Sequence, residues 1–305
     1  MTAYTGISSN RTKTWLIMFL FAAFIALLVY IFTNALGFNG PSALGFTGIA
    51  LIIAGIMNFF SYYYSDKIVM AISSAKQIQK KDNPQLFRTV ENLCIASGLP
   101  TPKIYIVADS APNAFATGRN PQNASIAFTT GILDKLNRLE LEGVAAHELS
   151  HVGNYDTRLM TIVAVLVGLV ALLGDWFIRI TWFGGGRDRD DDNNQLAGVF
   201  MVIAVILAIL SPIIATLIQL AISRKRELLA DASGALLTRN PEELATALLK
   251  ISKDPEPLEV ANKATAHLYI VNPFKESHKV VSTFANLFNT HPPIAERVKA
   301  LRAME

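Results

Sequence analysis

His147-Glu148-Leu149-Ser150-His151 decides how this chain is read. On an α-helix, residues i and i+4 share a face, so the two imidazoles can reach one ion. Glu148 stands beside the first histidine, where its carboxylate can act on a water held by that ion. The flanking residues support a helix over Arg138–Asp156, with Leu139, Leu141, Val144, Ala145, Leu149 and Val152 supplying its apolar positions. The pattern is H-E-x-x-H, in which two histidines bind zinc and the glutamate serves as general base of a hydrolysis.

Composition places this helix beside a membrane. Of 305 residues, 51% are hydrophobic and 17% charged. Trp15–Leu36 and Ala43–Tyr64 contain no charged residue. Each is long enough to cross about 30 Å of hydrocarbon. Leu196–Ile222 is also uncharged, and Pro212 predicts a kink within it. Met160–Gly174 is shorter but extends to Phe183 if Asp175 and Arg179 pair at the membrane edge, where Trp176 and Trp182 suit an interfacial belt. Four spans are expected, near 15–36, 43–64, 160–183 and 196–222. The first is too long for a cleaved signal peptide and reads as a retained anchor.

Lysine and arginine set the orientation. Arg11 and Lys13 precede the first span, and Lys67, Lys76, Lys80 and Lys81 follow the second. Arg158 precedes the third, and Arg224, Lys225 and Arg226 follow the fourth. The positive-inside rule puts these in the cytoplasm. Gly37–Ser42 has no basic residue, and the arginines of Gly184–Gln195 are accompanied by Asp188 and Asp190–Asp192. Those loops are expected outside, the second as a solvated linker. The net charge of +3 is thus mostly topological, and no basic stripe with interleaved aromatics points to nucleic acid. Cys94 is the single cysteine, which excludes an intrachain disulfide and a thiolate zinc cluster and suits a reducing compartment.

The fold class that follows is an α+β membrane protein. It joins four transmembrane helices to a mainly helical metalloprotease domain with a small β-sheet. Residues 1–64 form a membrane hairpin, 158–222 a second one, and 65–157 with 223–305 the cytoplasmic part. Helices are expected at Lys67–Lys81, Pro84–Ser97, Arg224–Thr238, Pro241–Lys253 and Pro292–Ala303. Strands are expected at Lys103–Ala108, Asn113–Thr117 and Ala124–Thr129, the last two joined through Gly118, Asn120 and Pro121.

A catalytic zinc needs three protein ligands and one open position. The third candidate is an acidic residue or one of His267, His278 and His291. Glu227 and Asp231, at i and i+4 on one helical face, fit best: Glu227 as ligand, Asp231 as acceptor for a ligand histidine's outer nitrogen. Two spans separate His151 from Glu227, so both emerge on one side of the bilayer. His151 lies nine residues before Met160 and Glu227 five after Ile222, which brings both close to the membrane surface.

H-E-L-S-H at 147–151, R-E-L-L-A-D at 226–231, N-A-F-A-T-G at 113–118 and H-P-P-I-A-E-R at 291–297 together carry a resemblance. The chain is similar, over nearly its whole length, to the membrane-bound zinc metalloproteases that comprise the bacterial heat-shock protease HtpX and the CAAX prenyl proteases. The resemblance implies a gluzincin site with Glu227 as third ligand and one Zn2+ per chain. It implies that Asn113–Gly118, with Asn113, Ala114, Phe115 and Ala116, is an active-site edge strand pairing with extended substrate. His291 and Arg297 are expected near the site, either stabilising the oxyanion or bracing the fold. His267 and His278 are read as surface or structural histidines. The implied setting is the bacterial inner membrane, with both termini and the protease domain cytoplasmic and with damaged membrane proteins as substrates. The alternatives are a prenyl-protein protease and a non-catalytic metal-binding scaffold. Transport is disfavoured because no apolar run carries a central charge.

Overall fold

Two long helices open the chain, α1 (Ala3–Ala35) and α2 (Pro41–Ile72), packed side by side. The computed structural model describes residues 3–35, 40–183, 224–261, 265–273 and 292–304. Asn58 Nδ2 of α2 donates to the Met18 carbonyl of α1 at 3.1 Å, and Trp15 stacks on Tyr62 at 5.9 Å. The outer faces are apolar and open: Phe19 is 69% exposed and Ile52 65%. Among the described residues, Leu44–Ile72 alone is long and apolar enough to cross a bilayer, with mean hydropathy 1.8; Thr12–Leu27 is apolar but shorter.

The expected helix over Lys67–Lys81 is not formed. α2 runs unbroken through Lys67 to Ile72, and Ser74 then turns the chain with a left-handed φ of 51°. Lys76–Gln77 is instead a short strand, β1. Its backbone groups bond to the sheet, an alternative that local helical pattern cannot register.

α3 (Pro84–Ser97) has the predicted limits: Asn83 caps its start and Gly98, at φ 71°, ends it. β2 (Lys103–Val107), β3 (Ala114–Gly118) and β4 (Ala124–Thr129) complete a mixed sheet of order β1-β2-β4-β3. β2 and β4 are parallel, whereas β3 turns back antiparallel on β4 and forms the edge. α4 (Thr130–Lys135) leads to α5 (Arg138–Gly153), which carries H-E-x-x-H. A capping box starts α5: Asn137 Oδ1 accepts from Glu140 N at 2.9 Å, and Glu140 Oε2 accepts from Asn137 N at 2.8 Å.

α5 stops three residues earlier than its apolar pattern predicts. Asn154 and Tyr155, the latter at φ 59°, break the chain before α6 (Asp156–Phe183). Leu159, Ile162, Val163 and Leu166 on α6 pack against Ile17, Met18 and Phe21 of α1. Met160 and Ala164 join Val69, Met70, Phe115 and Tyr269 in a second cluster, so α6 links the opening helices to the sheet edge. α7 (Arg224–Thr238) ends where predicted, α8 (Pro241–Lys253) has the predicted limits, and α9 (Ile294–Arg302) falls inside its predicted range. Val144, Leu149, Leu244, Leu248 and Leu301 lie at the centre of the principal core. The expected span 196–222, the loop 184–195, His278 and His291 lie outside the described residues.

The capping box sets a testable cost. Asn137→Ala removes one of its two bonds and is expected to destabilise the protein by about 1 kcal/mol. Thermal unfolding in detergent checks this, with Asn137→Asp retaining most of the parent stability.

Candidate metal centre

α5 and α7 cross where Gly234 lets the backbones meet. A Cβ on Gly234 would lie 3.0 Å from the His147 backbone nitrogen, so any larger residue would push the two helices apart by a few tenths of an ångström. Glu227, Asp231 and Gly234 lie on one face of α7 at i, i+4 and i+7, turned toward the histidines of α5. His147 Nε2 and His151 Nε2 are 3.2 Å apart. Glu227 Oε2 lies 3.8 Å from His147 Nε2, and Glu227 Oε1 lies 3.4 Å from His151 Nε2. A tetrahedral ion bound at 2.0–2.2 Å needs donors about 3.3–3.6 Å apart, so this triangle fits one small cation. Among the described residues, Glu227 is the candidate third donor brought to the histidines.

Each histidine is held from behind. His147 Nδ1 lies 2.9 Å from Asp231 Oδ1, and His151 Nδ1 lies 3.1 Å from Asp156 Oδ2. An Nδ1–H given to a carboxylate leaves Nε2 with its lone pair toward the donor triangle. Asp231 is the partner anticipated from sequence. Asp156 was missed, although a second ligand histidine needs a second partner and Asn154 is a helix-ending signal. The break at Asn154–Tyr155 is what returns Asp156 to His151; on a continuous helix, a residue at i+5 points away.

Arginines secure both carboxylates. Arg297 Nε donates to Asp231 Oδ2 at 2.8 Å and Nη2 to Oδ1 at 2.6 Å, a forked pair. Arg297 Nη1 donates to the Ile270 carbonyl at 2.9 Å. Arg297 Nη1 also lies 3.8 Å from Glu227 Oε2, so the guanidinium touches both Asp231 and the third candidate ligand. Asp156 Oδ1 accepts from Asn10 Nδ2 of α1 at 2.8 Å and lies 3.5 Å from Arg226 Nη1. Arg226 Nη1 also donates to Asn10 Oδ1 at 3.2 Å. Neither Asn10 nor Arg226 was singled out from sequence, because contacts across 146 and 216 positions leave no local signal.

Burial dominates the electrostatics. Glu148 is 2% exposed, and its carboxyl is pushed up to about 7 by loss of water, against the opposing pull of His151. Burial raises the Asp231 carboxyl, but Arg297 outweighs it and holds the group at about 2. Burial disfavours the His151 imidazolium, yet Glu227 and Asp156 overcome it and hold the proton to about 9. His147 moves the other way, its pKa lowered by burial despite Asp231. Glu148, Asp156, Glu227 and Asp231 face two guanidiniums, Arg226 and Arg297, an excess of buried carboxylates that suits the site to a cation once His151 gives up its proton.

β3 is the sheet edge, as the resemblance implies. Asn113 pairs with Thr129 in β4, so alternate residues Ala114, Ala116 and Gly118 direct their backbone groups outward. The Ala114 carbonyl accepts from Ile270 N at 3.0 Å, and Gly118 N donates to Thr161 Oγ1 at 3.3 Å. The strand is therefore covered at both ends, and Ala116, whose amide favours the ionised form of Glu148, is its central outward residue. Phe115 is buried on Tyr269, with ring centroids 5.0 Å apart. The Asn113 side chain donates to the Val271 carbonyl at 3.0 Å, which ties the edge strand to the 265–273 segment. His267 is buried with Nε2 3.0 Å from the Met160 carbonyl, a structural role.

A buried pair of histidines, a carboxylate completing the triangle and a buried glutamate beside them define a metal-dependent peptidase site. The family described as peptidase family M48 matches residues 80–305, and this chain belongs to it. It is 45% identical over 303 residues to a protein of Dictyoglomus thermophilum named Protease HtpX homolog, covering 99% of this chain and 95% of that one. Proteins of the same name from Streptococcus gordonii and Thermococcus sibiricus are 44% and 48% identical, over 306 and 257 residues. The matches cover 99% of both chains for the first, and 83% of this chain and 85% of the relative for the second. Among solved structures, the crystal structure of S. mikatae Ste24p aligns with TM-score 0.48 and 18% identity, over 95% of this chain and 67% of that one.

Three outcomes follow for metal affinity, read by competition with a chromophoric chelator. Asp156→Asn and Asp231→Asn are each expected to weaken it about 10–100-fold. Gly234→Ala forces the two helices apart and is expected to weaken it as well, with a stability loss of about 1–3 kcal/mol. Ligation needs a neutral imidazole, and His151 keeps its proton up to about 9. Affinity is therefore expected to climb with pH toward that value and level off above it. A profile flat across that range contradicts the assignment of His151.

Proposed function

We propose that this chain is a membrane-embedded, zinc-dependent endopeptidase of the gluzincin type, acting on damaged or misfolded proteins that include membrane proteins. The observation that carries this reading is the His147–His151–Glu227 triangle with Glu148 buried beside it and next to a sheet edge. Zinc held by His147, His151 and Glu227 supplies Lewis acidity and an activated water. Glu148 takes the proton of the attacking water and returns it to the leaving amine. A carboxyl raised to about 7 is matched to both transfers near neutral pH. Asp231 and Asp156 keep the two rings oriented, and Arg297 keeps Asp231 in place. Ala116 offers its backbone carbonyl to an extended peptide, which favours unfolded chains over sequence-specific targets. His291 is a further candidate for stabilising the tetrahedral intermediate.

The membrane reading keeps the four spans near 15–36, 43–64, 160–183 and 196–222, with the soluble parts 65–157 and 223–305 in the cytoplasm. The apolar outer faces of α1 and α2 support it, as does the distribution of lysine and arginine. The expected location is a bacterial inner membrane.

The test uses full-length protein in detergent, stripped of metal and reloaded with zinc, acting on an unfolded model protein. Glu148→Gln is expected to lower cleavage about 10²–10⁴-fold while bound zinc is unchanged. Equal cleavage by parent and variant overturns the role of Glu148. Tight zinc binding with no cleavage by either favours the scaffold reading.

A further inference from the structure

A groove of about 500 Å³ runs between α1 and α2. Trp15, Phe19 and Ala22 form one wall, and Gly55, Phe59 and Tyr62 the other. From Trp15 to Ala22 it follows α1 for about 10 Å. Its volume is in the range of small-ligand sites, and its walls are apolar apart from Asn58 and the tyrosine hydroxyls.

Two arginines stand at the Tyr62 end. The Arg119 guanidinium lies 5.9 Å from the Tyr62 ring centre and 4.5 Å from that of Tyr63. The Arg158 guanidinium lies 6.0 Å from Tyr62 and 5.0 Å from Tyr155. Both therefore flank one ring of the groove. Arg158 is only 8% exposed, and among the described residues its hydrogen bond is from Nε to the Arg119 carbonyl at 2.6 Å. Among the described residues neither guanidinium has a carboxylate partner. The closest in sequence to Arg158, Asp156, is committed to His151, Asn10 and Arg226. A largely buried cation without a counter-ion is costly, and an arginine's planar fork matches phosphate.

We propose that this groove, with Arg119 and Arg158 at its mouth, binds one anionic phospholipid, its phosphate between the guanidiniums and an acyl chain along the groove. Basic pockets between membrane helices on the cytoplasmic side recognise anionic headgroups by this chemistry. The apolar groove continuing from the mouth favours a lipid over free phosphate. The site rests on the reading that α1 and α2 cross the bilayer.

The test is native mass spectrometry of the full chain in detergent, with phosphatidylglycerol or phosphatidylcholine of identical acyl chains. The parent is expected to retain one phosphatidylglycerol with a preference of about fivefold per arginine. Arg119→Gln with Arg158→Gln is expected to abolish that preference. Gly55→Leu places a side chain in the groove, and its Cβ meets nothing within 4 Å. It is expected to reduce retention of both lipids, whereas Gly48→Leu, equally unobstructed but outside the groove, leaves retention unchanged. Equal retention of the two lipids by the parent overturns the proposal. So does retention unaffected by Gly55→Leu, which decides the matter if the double arginine variant fails to fold. Displacement of phosphatidylglycerol by inorganic phosphate alone overturns the acyl-chain assignment. Release of the protein from membranes without detergent overturns the membrane reading itself.

Discussion

Charge buried without water is the constraint on which this structure depends. Glu148, Glu227, Asp231 and Asp156 are each no more than 2% exposed, as is Arg297. Isolated charges at such depth cost far more than the chain's net stability allows, so each must be paired or bound to a metal. The pairs are arranged in order: Arg297 holds Asp231, Asp231 holds His147, and Asp156 holds His151. Glu148 is the group left without a bracing partner of this kind. Burial therefore raises its pKa, and the same burial suits it to exchange a proton near neutrality.

Backbone features make that pairing possible. The turn at Asn154–Tyr155 separates the histidine helix from α6 and brings Asp156 back to the site. Gly234 permits α7 to approach α5 until their backbones touch. Asn10 extends the network into α1 through its bond to Asp156, so the opening helix takes part in holding a metal-site histidine. A change in how α1 sits is thereby felt at His151.

Much of this was legible in the chain. α3 and α8 have the predicted ends because local signals mark them: Asn83 and Gly98 for α3, Pro241 for α8. Glu227 and Asp231 were readable as a face of one helix, and Glu227 does meet the two histidines. Other features were not readable. The stretch at Lys76–Gln77 forms a strand because β2 is there to receive it, a fact absent from its own residues. The apolar pattern of α5 continues past Gly153, so periodicity overshot the break. Arg297 and Asn113 were found by resemblance, but their roles depended on contacts with Asp231 and Val271, on distant segments.

The central claim is that His147, His151 and Glu227 together hold one catalytic metal. X-ray absorption spectroscopy of the zinc-loaded, full-length protein tests it most directly. The account predicts two imidazole nitrogens and an oxygen shell, with one imidazole lost in His151→Ala and the carboxylate lost in Glu227→Ala. Three imidazoles, or a sulfur ligand from Cys94, would contradict it.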